Sequence, residues 1–255
     1  MAHRPEHRRA RRAYGQNFLA DPRAVRSLLS AAEIKPGLLV YEVGAGRGRL
    51  TTGLLDAGAR VVAHEVDPDM AAALPRHPRL RVEGDFLAAW PPDEPFAVVG
   101  NIPYALTSAV VDWCLAAESM TTATLLVQWE YARKRTGDYG RWSRLTIATW
   151  PGVDWRLGPR IPRIAFRPVP RVDGGVLRLT RRAAPLLPAS ALTAYASMVD
   201  LGFGGVGGSL QASLERRYRG VASAFRAARI PADRPVGEVW PEQWLTVFRL
   251  LHRRR

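Results

Sequence analysis

The sequence predicts an α/β fold: a doubly wound, mostly parallel sheet followed by a small helical domain. Three observations carry that expectation. Apolar runs of strand length alternate with helical stretches as far as about residue 128. A glycine turn, Gly44-Ala45-Gly46-Arg47-Gly48, closes the first long apolar run. Beyond Arg182 the alternation stops, Pro185 and Pro188 mark a linker, and only helical periods follow.

The elements follow in order. Residues 1–13 form a basic arm (Arg4, Arg8, Arg9, Arg11, Arg12) expected to be flexible. Asp21-Pro22 reads as an N-cap with proline in the first turn, starting a helix through Val25, Leu28 and Leu29. Strands are expected at Leu38–Val43, Val61–Val66, Leu80–Val82, Ala97–Gly100 and Thr124–Gln128, with helices at Leu50–Ala57, Asp69–Leu74 and Thr107–Ala117 between them. Leu145–Trp150 and Val176–Leu179 read as further strands around a Pro- and Arg-rich loop, Gly158–Arg171. Helical periods then occupy Ala191–Leu201, Leu210–Arg217, Val221–Ala228 and Pro241–Leu251, with Gly202–Gly208 a tight connection between two of them. The expected organisation is a main domain over 14–182 and a helical, RNA-binding or accessory domain over 183–255.

Composition narrows the function. A hydrophobic fraction of 47% over 255 residues supports a packed core, and no apolar run is long enough to span a bilayer. The Arg- and His-rich start lacks the apolar stretch of a secretory signal. Cys114 is the one cysteine, so no intrachain disulfide forms, which fits a reducing cytoplasm. The net charge of +14 is almost all arginine, since Lys35 and Lys134 are the only lysines. Such an imbalance points to a polyanion, nucleic acid first, or to a generally basic surface from biased codon usage, and arginine suits planar contacts with phosphates and base edges. The five histidines lack ligand spacing, so no metal site is expected.

The glycine turn by itself fits many nucleoside cofactors. Two details narrow it. Arg49 stands where a dinucleotide fingerprint needs its third glycine. Glu42, just before the turn, would repel a pyrophosphate but suits S-adenosylmethionine, which carries an ammonium and a sulfonium. Glu65, ending the next strand, is spaced to grip two ribose hydroxyls or is simply an acidic strand end. His64 and Asp67 beside it read as solvated. Asp85, after the third strand, is a candidate acceptor for the cofactor's adenine amino group or simply an N-cap, and Phe86 offers an apolar face. Three strand ends in series make a ligand cleft more credible than any one of them, because open α/β sheets bind at the carboxyl ends of their strands.

Asn101-Ile102-Pro103-Tyr104 follows the fourth strand. An adenine amino group is a poor nucleophile because its lone pair is delocalised into the ring. Hydrogen bonds to the Asn101 side-chain oxygen and the Ile102 carbonyl would draw that nitrogen toward tetrahedral geometry. Pro103 fixes the turn and biases Ile102 to an extended conformation. Tyr104 would stack on the base, which must be unpaired or flipped out. Phe166, in a stiff Pro- and Arg-rich loop, is a candidate second stacking face or a structural residue. Tyr131, Arg133, Lys134, Arg135 and Arg141 form another basic, aromatic stretch, equally readable as a solvated helix end.

Taken together, Gln16-Asn17-Phe18-Leu19, Glu42–Gly48, Gly84-Asp85-Phe86, Asn101–Tyr104 and Phe166–Asp173 resemble, in order, the motifs of the rRNA adenine-N6 methyltransferase family. The resemblance implies a Rossmann-like class I S-adenosylmethionine-dependent methyltransferase domain with a seven-stranded sheet. It places Gln16, Asn17 and Leu19 over the cofactor, Gly44 under its methionine part, Glu65 on the ribose and Asp85 by the adenine, with Gly46 and Phe86 also in the cofactor site. Asn101 would touch both cofactor and target, with Tyr104 and Phe166 sandwiching the acceptor adenine. The opening residues 11–19, Arg163–Arg171, Gly204–Gly208 and Val239–Trp244 are similar to the erythromycin-resistance, or Erm, branch. That branch methylates one adenine of 23S rRNA and blocks macrolide, lincosamide and streptogramin B binding. Gln128-Trp129-Glu130 departs from the family's usual Gln-Lys-Glu, which puts a phosphate contact in doubt. The expected protein is therefore a cytoplasmic monomer acting on 23S rRNA; the alternatives are a small-subunit rRNA dimethyltransferase and a non-catalytic RNA-binding factor.

Overall fold

The computed structural model describes residues 17–205 and 209–252. The expected basic arm and Gln16 lie outside the described residues. Two compact units are present: Met1–Ala132 with Arg156–Thr180, and Arg133–Trp155 with Arg181–Arg255. Segment Arg133–Trp155 thus clusters with the C-terminal helices, not with the residues that precede it.

The first unit is built on parallel strands. Helix α1 (Pro22–Ala32) starts where Asp21 accepts the Arg23 N–H at 2.8 Å, and it buries Ala24, Leu28 and Ala32. Strands β2 (Leu39–Val43), β3 (Arg60–His64), β4 (Leu80–Glu83), β5 (Phe96–Asn101) and β6 (Met120–Gln128) alternate with helices α2 (Arg49–Asp56), α3 (Pro68–Ala72) and α4 (Thr107–Ala116). With β7 (Val153–Ile161) and β9 (Gly174–Arg181) they form a seven-stranded sheet of order β4-β3-β2-β5-β6-β9-β7. Pairs β2–β3, β3–β4, β2–β5 and β5–β6 are parallel, whereas β9 runs antiparallel to β6. The mostly parallel α/β sheet expected from the sequence is therefore present. Strand order reverses between β2 and β5, which makes their carboxyl ends the crevice of the sheet. A separate two-stranded ribbon joins β1 (Phe18–Leu19) to β8 (Phe166–Arg167), pairing Leu19 with Phe166.

The central strands β2 and β5 are buried on both faces, as parallel strands under helices are. Leu54 of α2 is fully buried against Val40, Val61, Ala63 and Val99. Leu54→Ala is expected to cost about 2–5 kcal/mol, read as a lower urea midpoint; a change within error would show that this cluster is not well packed.

Leu145–Trp150 is not a strand. It is helix α6 (Arg144–Thr149), whose Ser143 N-cap accepts the Thr146 N–H at 3.2 Å. The cap and the burial of Thr146 and Ile147 on one helical face override the β-branched run. The strand starts later, at Val153, and extends through Ile161 into the expected loop. A helix, α5 (Trp129–Thr136), follows β6.

In the second unit, α7 (Ala189–Phe203), α8 (Leu210–Glu215), α9 (Val221–Ala227) and α10 (Pro241–His252) pack around Trp244, which is 1% exposed and stacked on Phe203 at 5.8 Å. Gly202 lies inside α7 rather than in the connection: a Cβ there would meet Leu210 and Trp244 at 2.5 Å. The described helices include none long and apolar enough to cross a membrane.

Candidate active site

The turn after β2 needs its glycines. Gly44, Gly46 and Gly48 have φ of +70°, +53° and +73°, in the left-handed region that side chains disfavour. A Cβ on Gly46 would also press the Phe18 ring at 3.1 Å. The Gly44 and Ala45 N–H groups donate to the His64 carbonyl at 3.0 and 3.1 Å, so the turn is pinned to the end of β3. Glu65, 4% exposed, completes the tie. Its Oε2 accepts the Gly46 N–H at 2.7 Å and its Oε1 accepts the Asp67 N–H at 2.9 Å.

Glu42 stands behind the turn, fully buried and not lining the cleft. Its Oε2 accepts the Thr51 hydroxyl at 2.6 Å, and its Oε1 has no partner among the described residues. Burial pushes its pKa up to about 7; the Thr51 hydrogen bond opposes this and the Glu65 charge adds to it. The folded state therefore holds a proton that the unfolded chain releases near 4.5. That contribution to stability is complete below the unfolded value and is lost as pH rises through about 7. Glu42→Gln cannot ionise, so its stability relative to wild type should rise between about pH 5 and pH 8 in urea unfolding. Parallel pH profiles for the two proteins would contradict this.

The third strand end is more mixed. Asp85 is exposed, and its Oδ1 accepts the Leu87 N–H at 2.9 Å, capping the turn Phe86–Ala88. Its other oxygen is unengaged among the described residues, so the capping and ligand readings coexist. Phe86 offers no open face: it is 4% exposed, 4.3 Å from the Trp113 ring and edge-on to His64 at 5.4 Å. His64, expected in solvent, is buried between Tyr41 and Phe86, and that burial lowers its pKa. Asp67 caps α3, accepting the Asp69 and Met70 N–H groups.

Beside the glycine turn, Asn101 ends β5. Its Nδ2 donates to the Asn17 carbonyl at 2.7 Å, which fixes the amide and leaves Oδ1 free to accept. The Ile102 side chain is buried and its N–H donates to Leu126 O at 3.0 Å, while no described group engages its carbonyl. Pro103, at φ −55° and ψ 127°, leads into the 3₁₀ turn Tyr104–Leu106. Tyr104 is half-buried, and its hydroxyl is buried without a partner among the described residues. Burial raises that pKa, and the Asp173 charge adds to the rise. One cleft, with an empty volume of about 390 Å³ counted out to solvent, is lined by Asn17, Phe18, Gly44, Gly46 and Asn101–Tyr104.

Two expected residues are elsewhere. Leu19 and Phe166 face each other across the β1–β8 ribbon and are 6% and 0% exposed, inside an apolar cluster with Leu28, Leu126 and Val176. Side chains alternate along a strand, so burying Leu19 turns Phe18 into the cleft. Phe18 thus takes the place expected of Leu19, and Phe166 shows no open stacking face. Asp173 was not singled out as a site residue. It accepts the Arg163 N–H at 2.8 Å and pairs with Arg160 at 2.6 Å, holding the chain near Tyr104; the nearby backbone and guanidinium groups lower its pKa. Trp129, where the family usually has lysine, has the Arg160 guanidinium 5.7 Å from its ring centroid.

The family model described as "Ribosomal RNA adenine dimethylase" matches residues 7–253. The chain belongs to that family. Among relatives of this adenine dimethylase-family enzyme, an rRNA adenine N-6-methyltransferase of Streptomyces fradiae is 55% identical over 252 residues, covering 95% of this chain and 79% of that protein. The crystal structure of 23S rRNA methyltransferase ErmE superposes with a TM-score of 0.89 at 50% identity, covering 92% of this chain and 100% of that one. A ribosomal RNA small subunit methyltransferase A of Synechococcus sp. (strain JA-2-3B'a(2-13)) is 32% identical over 263 residues, covering 94% and 92%. The dimethylase-family resemblance drawn from the motifs, including its Erm branch, agrees with these matches.

Proposed function

We propose that this enzyme transfers a methyl group from S-adenosylmethionine to N6 of one adenine in 23S rRNA, acting as a cytoplasmic monomer and conferring macrolide, lincosamide and streptogramin B resistance. The observation that carries the reading is the Asn101 amide. Its nitrogen is held by Asn17, so its oxygen is available beside the Ile102 carbonyl, at a cleft floored by Gly44 and Gly46.

The residues fit the donor. Positive-φ glycines form a cradle that a Cβ on Gly46 would crowd, and no atom lies within 4 Å of a Cβ placed on Gly44. When bound, the sulfonium supplies an electrophilic methyl carbon. Glu65 would accept the ribose hydroxyls, Asp85 the adenine amino group, and Asn17 and Phe18 would cover the ligand. Asn101 Oδ1 and the Ile102 carbonyl would accept the two N–H groups of the target, aiming its lone pair at that carbon. Tyr104 would stack on the base. No carboxylate base is needed, because the nitrogen becomes acidic once methylated and its proton passes to water. Orientation and electrostatics supply the rate.

The 23S target, rather than small-subunit RNA, is favoured by the 50% identity to ErmE against 32% to the small-subunit enzyme. Labelled S-adenosylmethionine given with naked 23S rRNA, and separately with small ribosomal subunits, should label only the former. Label confined to the small subunits would reassign the target, and no label on either would leave a non-catalytic RNA-binding factor.

A further inference from the structure

The second unit holds an aromatic feature that the reaction does not use. Trp240 is 57% exposed, yet its backbone is held on both sides. Its N–H donates to Gln243 Oε1 at 3.0 Å, and its carbonyl accepts the Gln243 and Trp244 N–H groups at 3.0 and 3.1 Å. Gln243 is anchored in turn, its Nε2 donating to the Ala228 carbonyl at 3.1 Å. Trp240 is therefore the N-cap of α10, a place that favours Ser, Thr, Asp or Asn, and an indole caps nothing there.

The ring is also supported from below. It sits 5.5 Å from Trp142 at 60°, and Trp142, 9% exposed, sits 5.5 Å from Trp150 at 75°. The Trp142 N–H donates to the Gly237 carbonyl, locking the loop before α6 to the segment before α10. Gly137 permits this loop: a Cβ there would strike the Trp142 ring at 2.6 Å. Single exposed apolar residues are ordinary. An exposed indole whose backbone is tied and whose ring rests on a buried indole is less common, because less of its conformational freedom remains to be lost on binding.

Charge indicates the occupant. Arg141, in that loop, is exposed and makes no hydrogen bond or ion pair among the described residues. Its Cβ comes within 3.9 Å of a Cβ placed on Gly237. The second unit carries seventeen arginines and lysines against seven aspartates and glutamates, so most of the chain's +14 resides there. A supported aromatic face on a basic unit, with an unpaired arginine in the loop that carries Trp142, matches an unstacked nucleobase with its phosphate.

We propose that Trp240 and Arg141 form a second nucleotide-binding site, at which one unpaired base of the rRNA substrate stacks on the Trp240 indole while Arg141 contacts its backbone. The proposal rests on the reading that the partner is rRNA, and it concerns a base other than the one methylated.

The test is binding of naked 23S rRNA and of small-subunit rRNA to wild type, Trp240→Ala, Trp240→Phe and Arg141→Ala, across a salt series. Trp240→Ala should weaken binding of whichever RNA the wild type binds by about 5- to 150-fold, the loss of one base stack. Trp240→Phe should keep most of the affinity. Arg141→Ala should reduce the salt slope by about one. Methylation should show a raised KM for RNA with kcat unchanged, and calorimetric S-adenosylmethionine affinity should not move. Wild-type RNA affinity in Trp240→Ala overturns the site. So does a change in its sedimentation without a change in RNA binding, which would make this face a protein interface. Loss of 23S methylation by the wild type itself would instead defeat the proposed function, because the binding arm is read independently.

Discussion

Asn101→Ala is expected to slow methyl transfer by about 10²–10³-fold and to weaken S-adenosylmethionine binding by a smaller factor. The side chain makes one internal hydrogen bond, through Nδ2 to the Asn17 carbonyl, and offers its oxygen to the cleft. Removing that oxygen leaves the target amino group with one acceptor instead of two, and its lone pair stays in the purine ring. Loss of one preorganised group of this kind lowers kcat by about 10²–10³-fold, and the freed Asn17 segment adds to the loss. Single-turnover methylation paired with calorimetric titration separates the effects. Activity within tenfold of wild type would remove Asn101 from the account.

Glu65→Ala is expected to act on the other ligand. The carboxylate is buried and holds the glycine turn through Gly46 while reaching Asp67 at the start of the next segment. Hydrogen bonds to charged groups contribute about 1.5–3 kcal/mol each, so losing two from a ribose weakens the cofactor by about 10²–10⁴-fold. The turn loses its anchor at the same time. Glu65→Gln should fall between, since it restores the shape but presents an N–H to one of two N–H donors. The measurement is S-adenosylhomocysteine affinity by calorimetry. An unchanged dissociation constant in both variants would mean that the end of β3 does not touch the ligand.

The legible parts of this protein are those written locally. Asp21-Pro22 caps a helix, and the glycine turn announces a backbone with positive φ; neither depends on distant residues. The strand ends Glu65 and Asn101 were legible for the same reason, because each closes a short apolar run. What the residue pattern did not reveal depends on register and burial set by remote chain. Leu19 and Phe18 exchange places because β8, almost 150 residues away, decides which face of a two-residue strand is covered. His64 is buried because its parallel strand is covered on both faces, so alternation carries no inside–outside signal there, and Phe86, in the turn after β4, is covered by the ring of Trp113 from a distant helix. Leu145–Trp150 had β-branched residues but also a serine cap, and the cap together with packing prevailed. Trp240 was readable only as part of a motif; its exposure and its support by Trp142 exist only in the folded unit.

The central claim is that β2, β3 and β5 end in a site where a methyl donor faces the exocyclic nitrogen of one adenine. Digestion of 23S rRNA after reaction, with mass analysis of its nucleosides, tests this most directly. The account predicts N6-methylated adenosine, mapping to a single position, formed far more slowly by Asn101→Ala. Methyl groups on another base, on a ring nitrogen of adenine or on ribose would contradict it.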